Sequence, residues 1–161
     1  MPGAIASFLE RDHARLDELL SRASSGTHVD VAAYEEFRAG LLRHIAIEEK
    51  VLFAEARARR GPLPKAPQIR ADHAALASLL VPTPTHALLA KIREVLAEHN
   101  PLEEGAHGLY EVCEQIIGDD VGAVLVRMHE IPAVRVAEHV DEPRIHEHIE
   151  RMLVARRQPH P

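Results

Sequence analysis

Twelve of the 161 residues are histidine, and their positions matter more than their number. Taken at alternating steps of three and four, the apolar residues trace one face of each of four helices. The first stripe reads Leu9, His13, Leu16, Leu20, and the second Tyr34, Phe37, Leu41, His44, Glu48, Leu52. The third reads Ile69, His73, Leu76, Leu80, and the fourth Leu89, Ile92, Leu96, His99, Glu103. A histidine interrupts every stripe, and in two of them a glutamate follows four residues later on the same face. A lone histidine on an apolar stripe is more often a satisfied core residue. Four of them at matching depth, spaced 31, 29 and 26 residues apart, are not independent.

The glutamates sharpen the argument. An ionised carboxylate inside a bundle is costly unless it is paired or bound to metal, and two of them repel each other. Histidine is the commonest metal ligand, and residues at i and i+4 lie one turn apart on one face, able to reach one ion or two neighbouring ions. Four imidazoles and two carboxylates suffice for two metals, and inward carboxylates on facing helices can bridge them. Imidazole with carboxylate suits iron, whereas structural zinc usually takes thiolates; this chain has one cysteine. Such a ligand set carries about −2 against about +4 from two ferrous ions, leaving a cationic centre that welcomes a small anion.

The elements that must position these residues are punctuated by turn chemistry at Ser24-Ser25-Gly26, Gly61-Pro62-Leu63-Pro64, Pro82-Thr83-Pro84 and Gly118-Asp119-Asp120. The pattern predicts helices over 4–24, over 31–60 with Asp30 as N-cap, over 66–81, and a fourth starting after Thr83 as cap with Pro84 at its first position. Short connections make sequential helices antiparallel neighbours, so the expected fold is all-α, an up-down-up-down four-helix bundle over residues 1–118. Residues 119–161 form a C-terminal extension: helix over 121–130, an extended run over 131–136, and a last helix from Asp141-Glu142-Pro143 to about Arg157. Its role stays open between making a homodimer, covering the bundle end and binding a partner. No internal sequence repeat is evident.

Composition narrows the function classes. The chain is 46% hydrophobic with only 3% aromatics and no tryptophan, and its net charge is −6. The length suits one folded unit, and the stock of Ala, Leu, Val, Ile, Glu and Arg favours helix. The charge repels phosphate backbones and no basic stripe appears, which argues against nucleic-acid partners. No apolar run reaches the length of a membrane span, no export signal is evident, and the lone Cys113 suits a reducing compartment, so the expectation is a cytoplasmic protein without a membrane partner. Cys113 itself reads as a small buried hydrophobe. The histidines at 28, 86, 129, 139, 146, 148 and 160 lie near segment ends or in the tail and are expected to be solvated.

The order His13, then His44-Ile-Ala-Ile-Glu48-Glu49-Lys-Val-Leu-Phe53, then Asp72-His73, then His99-Asn-Pro-Leu-Glu103-Glu104 resembles the cation-binding pattern of hemerythrin-like (HHE) proteins, over residues 5–117. The resemblance implies an up-and-down four-helix bundle around two non-haem irons, with a bridging oxo or hydroxo group and ligands His13, His44, Glu48, His73, His99 and Glu103. There are departures. Oxygen-carrying hemerythrins have a second histidine one turn after the third-helix ligand, where this chain has Ala77. Their last carboxylate is an aspartate five residues after its histidine, whereas Glu103 comes at four and Glu104 at five. Stripe phase favours Glu103, since Ala106, Tyr110, Cys113 and Ile117 continue it, although Pro101 and Gly105 could kink the helix. The run from Glu104 to Tyr110 also replaces the tighter Glu49–Phe53 arrangement of the second helix. A widening there could bring His107 or Tyr110 to the metals; the alternative is an exposed loop histidine and a core tyrosine.

Three functions follow from such a site. The first is a binding module for dioxygen or nitric oxide, with the leucine and isoleucine lining keeping out water. The second is an enzyme, of peroxide-reducing or oxidase type, in which the missing imidazole lets peroxide coordinate. The third is an iron or redox sensor whose unfolding on metal loss is read by a partner through the tail.

Overall fold

Local signals set most of the helix boundaries in the computed structural model, which describes residues 1–160. Helix α1 spans Ala4–Ser24. The Asp30 carboxylate accepts from the Ala33 backbone N–H at 3.1 Å, satisfying a free donor at the start of α2 (Val31–Ile47). From Ile47 the chain runs on through a π-helical turn, Glu48–Leu52, into α3 (Phe53–Arg60). It stops at Gly61, whose φ of 84° suits a residue without Cβ. Helix α4 (Ala66–Leu79) carries a proline in its first turn, where the missing N–H has no partner to lose.

The fourth expected helix departs from the sequence reading at both ends. Helix α5 (His86–Glu103) is capped by Thr85, whose hydroxyl accepts from Leu88 N–H at 3.1 Å. Thr83 is engaged elsewhere: its backbone N–H and hydroxyl both donate to Asp141, at 2.8 and 2.7 Å. The helix then ends at Glu103 and is not continued to residue 117. Gly105 (φ 77°) and His107 (φ 66°) turn left-handed, and after residues 104–108 a separate helix, α6 (Leu109–Ile117), begins. Gly108 is required at that restart, because a Cβ there would lie 2.3 Å from the Glu104 carbonyl oxygen. A 3-10 turn, Gly118–Asp120, leads into α7 (Val121–His129), and the last helix is α8 (Pro143–Arg156).

These helices form a bundle with no strand among the described residues. Two apolar clusters build the core. The first contains Ile5, Leu9, Ile47, Leu52, Phe53, Ile69, Cys113 and Met128; the second contains Leu16, Leu20, Tyr34, Phe37, Leu41, Leu76, Leu80 and Ile92. Along α1, α2, α4 and α5 the four stripe histidines fall where each helix passes from one cluster to the other. The polar residues therefore occupy a layer between two dry blocks. No helix among the described residues is long and apolar enough to cross a membrane.

The C-terminal segment is fastened to the bundle. Residues 131–142 form no strand but cross α2: Arg43 donates to the Ile131 carbonyl at 2.9 Å and Arg38 to the Ala137 carbonyl at 2.7 Å. The Val140 N–H donates to the Val81 carbonyl at 3.1 Å. His139, expected to be solvated, is instead half-buried, with Glu35 Oε1 at 2.5 Å and the Val81 carbonyl at 3.2 Å from its ring nitrogens. His160 is half-buried as well, while His28, His86, His129, His146 and His148 are exposed. Helix α8 packs against α4 and places Ile149 in the second cluster.

Candidate metal centre

Helix geometry brings the six stripe residues together as a buried ring. His13, His44, Glu48, His73, His99 and Glu103 are all buried, and the two glutamates are 0% exposed. Each histidine turns Nε2 inward. His44 Nε2 lies 2.9 Å from Glu48 Oε1, and His99 Nε2 lies 3.1 Å from Glu103 Oε1, both across one helical turn. Across the bundle, His13 Nε2 is 3.5 Å from Glu103 Oε2, and His73 Nε2 is 3.2 Å from Glu48 Oε2 and 3.7 Å from Glu103 Oε1. Each carboxylate thus gives one oxygen to the His13–His44 side and one to the His73–His99 side. Potential ligand atoms of His13, His44, Glu48 and Glu103 all lie within 4.8 Å of one another, as do those of His73, His99 and Glu103.

A second ring surrounds the first. His44 Nδ1 pairs with Asp12 Oδ2 at 2.8 Å, His73 Nδ1 with Glu49 Oε1 at 2.9 Å, His99 Nδ1 with Asp72 Oδ2 at 3.0 Å, and His13 Nδ1 with Glu104 Oε1. A carboxylate on Nδ1 fixes the ring's orientation and leaves Nε2 as the inward atom, able to ligate. Every outer carboxylate is the sequence neighbour of an inner residue: Asp12-His13, Glu48-Glu49, Asp72-His73, Glu103-Glu104. Asp-His followed by His-x-x-x-Glu-Glu therefore occurs twice, once in α1 and α2 and once in α4 and α5. That is an internal repeat of chemistry which apolar periodicity, tracking only the inward face, passes over. The π turn serves this pattern. It lets Glu48 face the centre while Glu49 reaches His73 and Leu52 and Phe53 remain buried; such widened turns are frequent at functional sites. The widening thus lies in the second helix, where the sequence suggested the tighter arrangement.

The helix break after Glu103 decides between His107 and Tyr110. His107 is exposed, and its backbone N–H donates to Glu111 at 2.8 Å. Tyr110 is 1% exposed. Its hydroxyl lies 3.0 Å from Glu103 Oε2, 3.2 Å from His13 Nε2 and 3.3 Å from His44 Nε2, and it bonds Glu48 Oε1. It stands at the centre of the His13–His44 half, and its single proton can go to only one carboxylate at a time. Between the neighbouring glutamates, Glu103 takes the inner place and Glu104 the outer one.

The electrostatics of the ring's own side chains bear on what it can hold. Burial opposes charge on the histidines, yet Glu48 and Asp12 raise the pKa of His44 to about 10. The carboxylates of Glu103, Glu48 and Glu49 raise His73 to about 12, and Glu103 with Asp72 raises His99 to about 9, again against burial. Burial pushes the glutamates up, but the histidines prevail and hold Glu48 well below and Glu103 below the usual carboxylate range. Burial and both glutamates push the Tyr110 hydroxyl well above its ordinary value, so it keeps its proton. Protons thus supply the cationic charge that two buried carboxylates demand, but they satisfy the geometry poorly. Glu48 Oε2, Glu103 Oε1 and His73 Nε2 are buried without a hydrogen-bond partner. Three orphaned ligand-type atoms converging in one dry layer fit cations better than protons. Oxygen and imidazole nitrogen donors in this number suit iron, manganese or zinc by donor type.

A cavity of about 230 Å³ opens between α1 and α5 and reaches the layer past Leu16, Leu20, Leu41, Leu96 and Asn100 to His13 and Glu104.

With this arrangement established, comparison with known proteins gives its class. The profile of the hemerythrin HHE cation-binding domain matches residues 4–111, and the chain belongs to that family. No curated protein and no solved structure matches it. The matched segment carries all six inner residues, the four outer carboxylates and Tyr110, and ends before Cys113, which is buried as expected.

Proposed function

We propose that the chain is a non-haem di-iron protein that binds a small molecule such as dioxygen or nitric oxide, built as an up-and-down four-helix bundle over residues 1–118 with the C-terminal extension strapped to it through residues 131–156. On this reading His13, His44, Glu48 and Glu103 hold one iron, and His73, His99, Glu103 and Glu48 hold the other. The observation that carries the two-metal reading is the division of both buried carboxylates, one oxygen to each histidine pair. When bound, two irons with a bridging oxo or hydroxo would supply a redox-active cationic pair with a position open to a small ligand.

The chain's own residues do the rest. Asp12, Glu49, Asp72 and Glu104 hold the imidazoles in the ligating orientation. Leucines flank the layer on both sides, and the cavity beside His13 gives a small molecule a path. Lone buried Cys113 suits a cytoplasmic setting. A second reading, decomposition of peroxide, is favoured by Tyr110: a buried, protonated hydroxyl among the ligands is placed to donate to a small oxygen species.

The test is to load the protein with ferrous iron without air, then add each gas. A reversible spectral change with dioxygen or a stable nitric oxide complex supports binding; rapid, irreversible oxidation without a reversible phase contradicts it. Peroxide turnover above that of free iron, lost in Y110F, would establish the second reading.

A further inference from the structure

We propose that Arg156, in the last turn of α8 and outside the matched domain, is a positioning residue of the metal centre: through Asp72 it fixes the ring of His99. The inference rests on the metal reading of the ring but concerns a residue that reading does not use.

Of the four outer carboxylates, only Asp72 is fully enclosed. Its side chain is 1% exposed, against 15% for Asp12, 27% for Glu49 and 35% for Glu104. A carboxylate at that depth needs a partner, and α8 supplies it. Arg156, itself 4% exposed, donates from Nε to Asp72 Oδ1 at 2.9 Å, and its outer nitrogen donates to Glu98 at 3.0 Å. Gln68 bridges the assembly, with its amide nitrogen 2.8 Å from Asp72 Oδ1 and 2.9 Å from the Arg156 carbonyl. One oxygen of Asp72 is thereby occupied from the α8 side, and the other is left for His99 Nδ1 at 3.0 Å. Two donors on Oδ1, from Arg156 and Gln68, hold that end of the carboxylate, and its other oxygen holds the imidazole.

The other half of the site has no such backing. The equivalent carboxylate, Asp12, is held by Arg15 from one turn further along its own helix, and Arg15 is half exposed. Surface pairs of that kind hold little. The repeat therefore gives both halves the same ligand types but different stiffness, and the stiffer half is stiff because the C-terminal helix docks there.

The test compares wild type with R156M and R156K by nitrogen-15 NMR of the histidine rings, in metal-free and zinc-loaded protein, together with a two-step metal titration. In R156M, exchange of the His99 Nδ1 proton with water should quicken at least tenfold, and one of two metal equivalents should weaken by roughly 10–100-fold, the usual effect of losing an outer partner; His44 should be unchanged. R156K should fall between. If R156M melts earlier but keeps wild-type His99 exchange and both binding steps, Arg156 merely anchors the helix and the proposal fails. If R156M does not fold, R156K decides: it keeps a cation but loses the guanidinium that reaches Asp72 and Glu98 from two separate nitrogens, so unchanged His99 exchange overturns the proposal. If wild type takes up no metal, the di-metal reading fails while the His99 exchange still tests the relay.

Discussion

The Tyr110 hydroxyl lies 3.0 Å from Glu103 Oε2, although a broken helix and a left-handed turn separate the two residues. Removing it in Y110F leaves two buried carboxylates with one donor fewer. In the metal-free protein this should cost about 1–3 kcal/mol. With metal bound, cations take over the donor's place and the loss should shrink. Thermal melts of both forms check this; an equal loss in the two would mean that the hydroxyl and the metals do not share a space.

Proton release should accompany metal uptake. In the metal-free protein the folded-state pKa values of His44, His73 and His99 are raised to about 10, 12 and 9, above the unfolded value near 6.5. Their stabilisation is complete below that unfolded value and fades as pH rises above it, the His99 share ending near 9, that of His44 near 10 and that of His73 near 12. The metal-free protein should therefore melt progressively earlier as pH rises above about 6.5, while the loaded protein, whose imidazoles have already given up those protons, should not. Loading near neutral pH should expel protons and tighten as pH rises, measurable in weakly buffered solution.

Glu48 and Glu103 should act on both metals at once, because each divides its oxygens between the two halves. E48Q or E103Q should weaken both binding steps by more than the roughly 10–100-fold typical of losing an outer partner. H13A, confined to one side, should spare one step. Stepwise titration followed by metal analysis distinguishes these outcomes.

The outer carboxylates should be separable in the same way. D12N should weaken the half containing His44, and D72N the half containing His99, each by roughly 10–100-fold. A uniform effect of both substitutions on both steps would contradict the pairing of Asp12 with His44 and Asp72 with His99.

Much of this site was legible because helical periodicity reports which side chains point inward. His13, His44, Glu48, His73, His99 and Glu103 each interrupt an apolar stripe, and all six meet. The same periodicity is blind one residue to the side, so Asp12, Glu49, Asp72 and Glu104 had no assigned partner, although the repeated Asp-His and Glu-Glu neighbours carried the signal. Tyr110 stayed ambiguous because Gly105, His107 and Gly108 reset the helical phase by a backbone turn whose exit angle propensity does not specify. The Thr83 cap failed for a long-range reason: Asp141, 58 residues away, claims that side chain. The burial of His139 is long-range in the same way, since its partners Glu35 and Val81 come from elements that only the folded strap brings near.

The central claim is tested most directly by anaerobic titration of the metal-free protein with ferrous iron, followed by metal analysis. The account predicts an end point of two irons per chain, falling below two in E48Q. An end point of one, or of two that E48Q leaves unaltered, would contradict it.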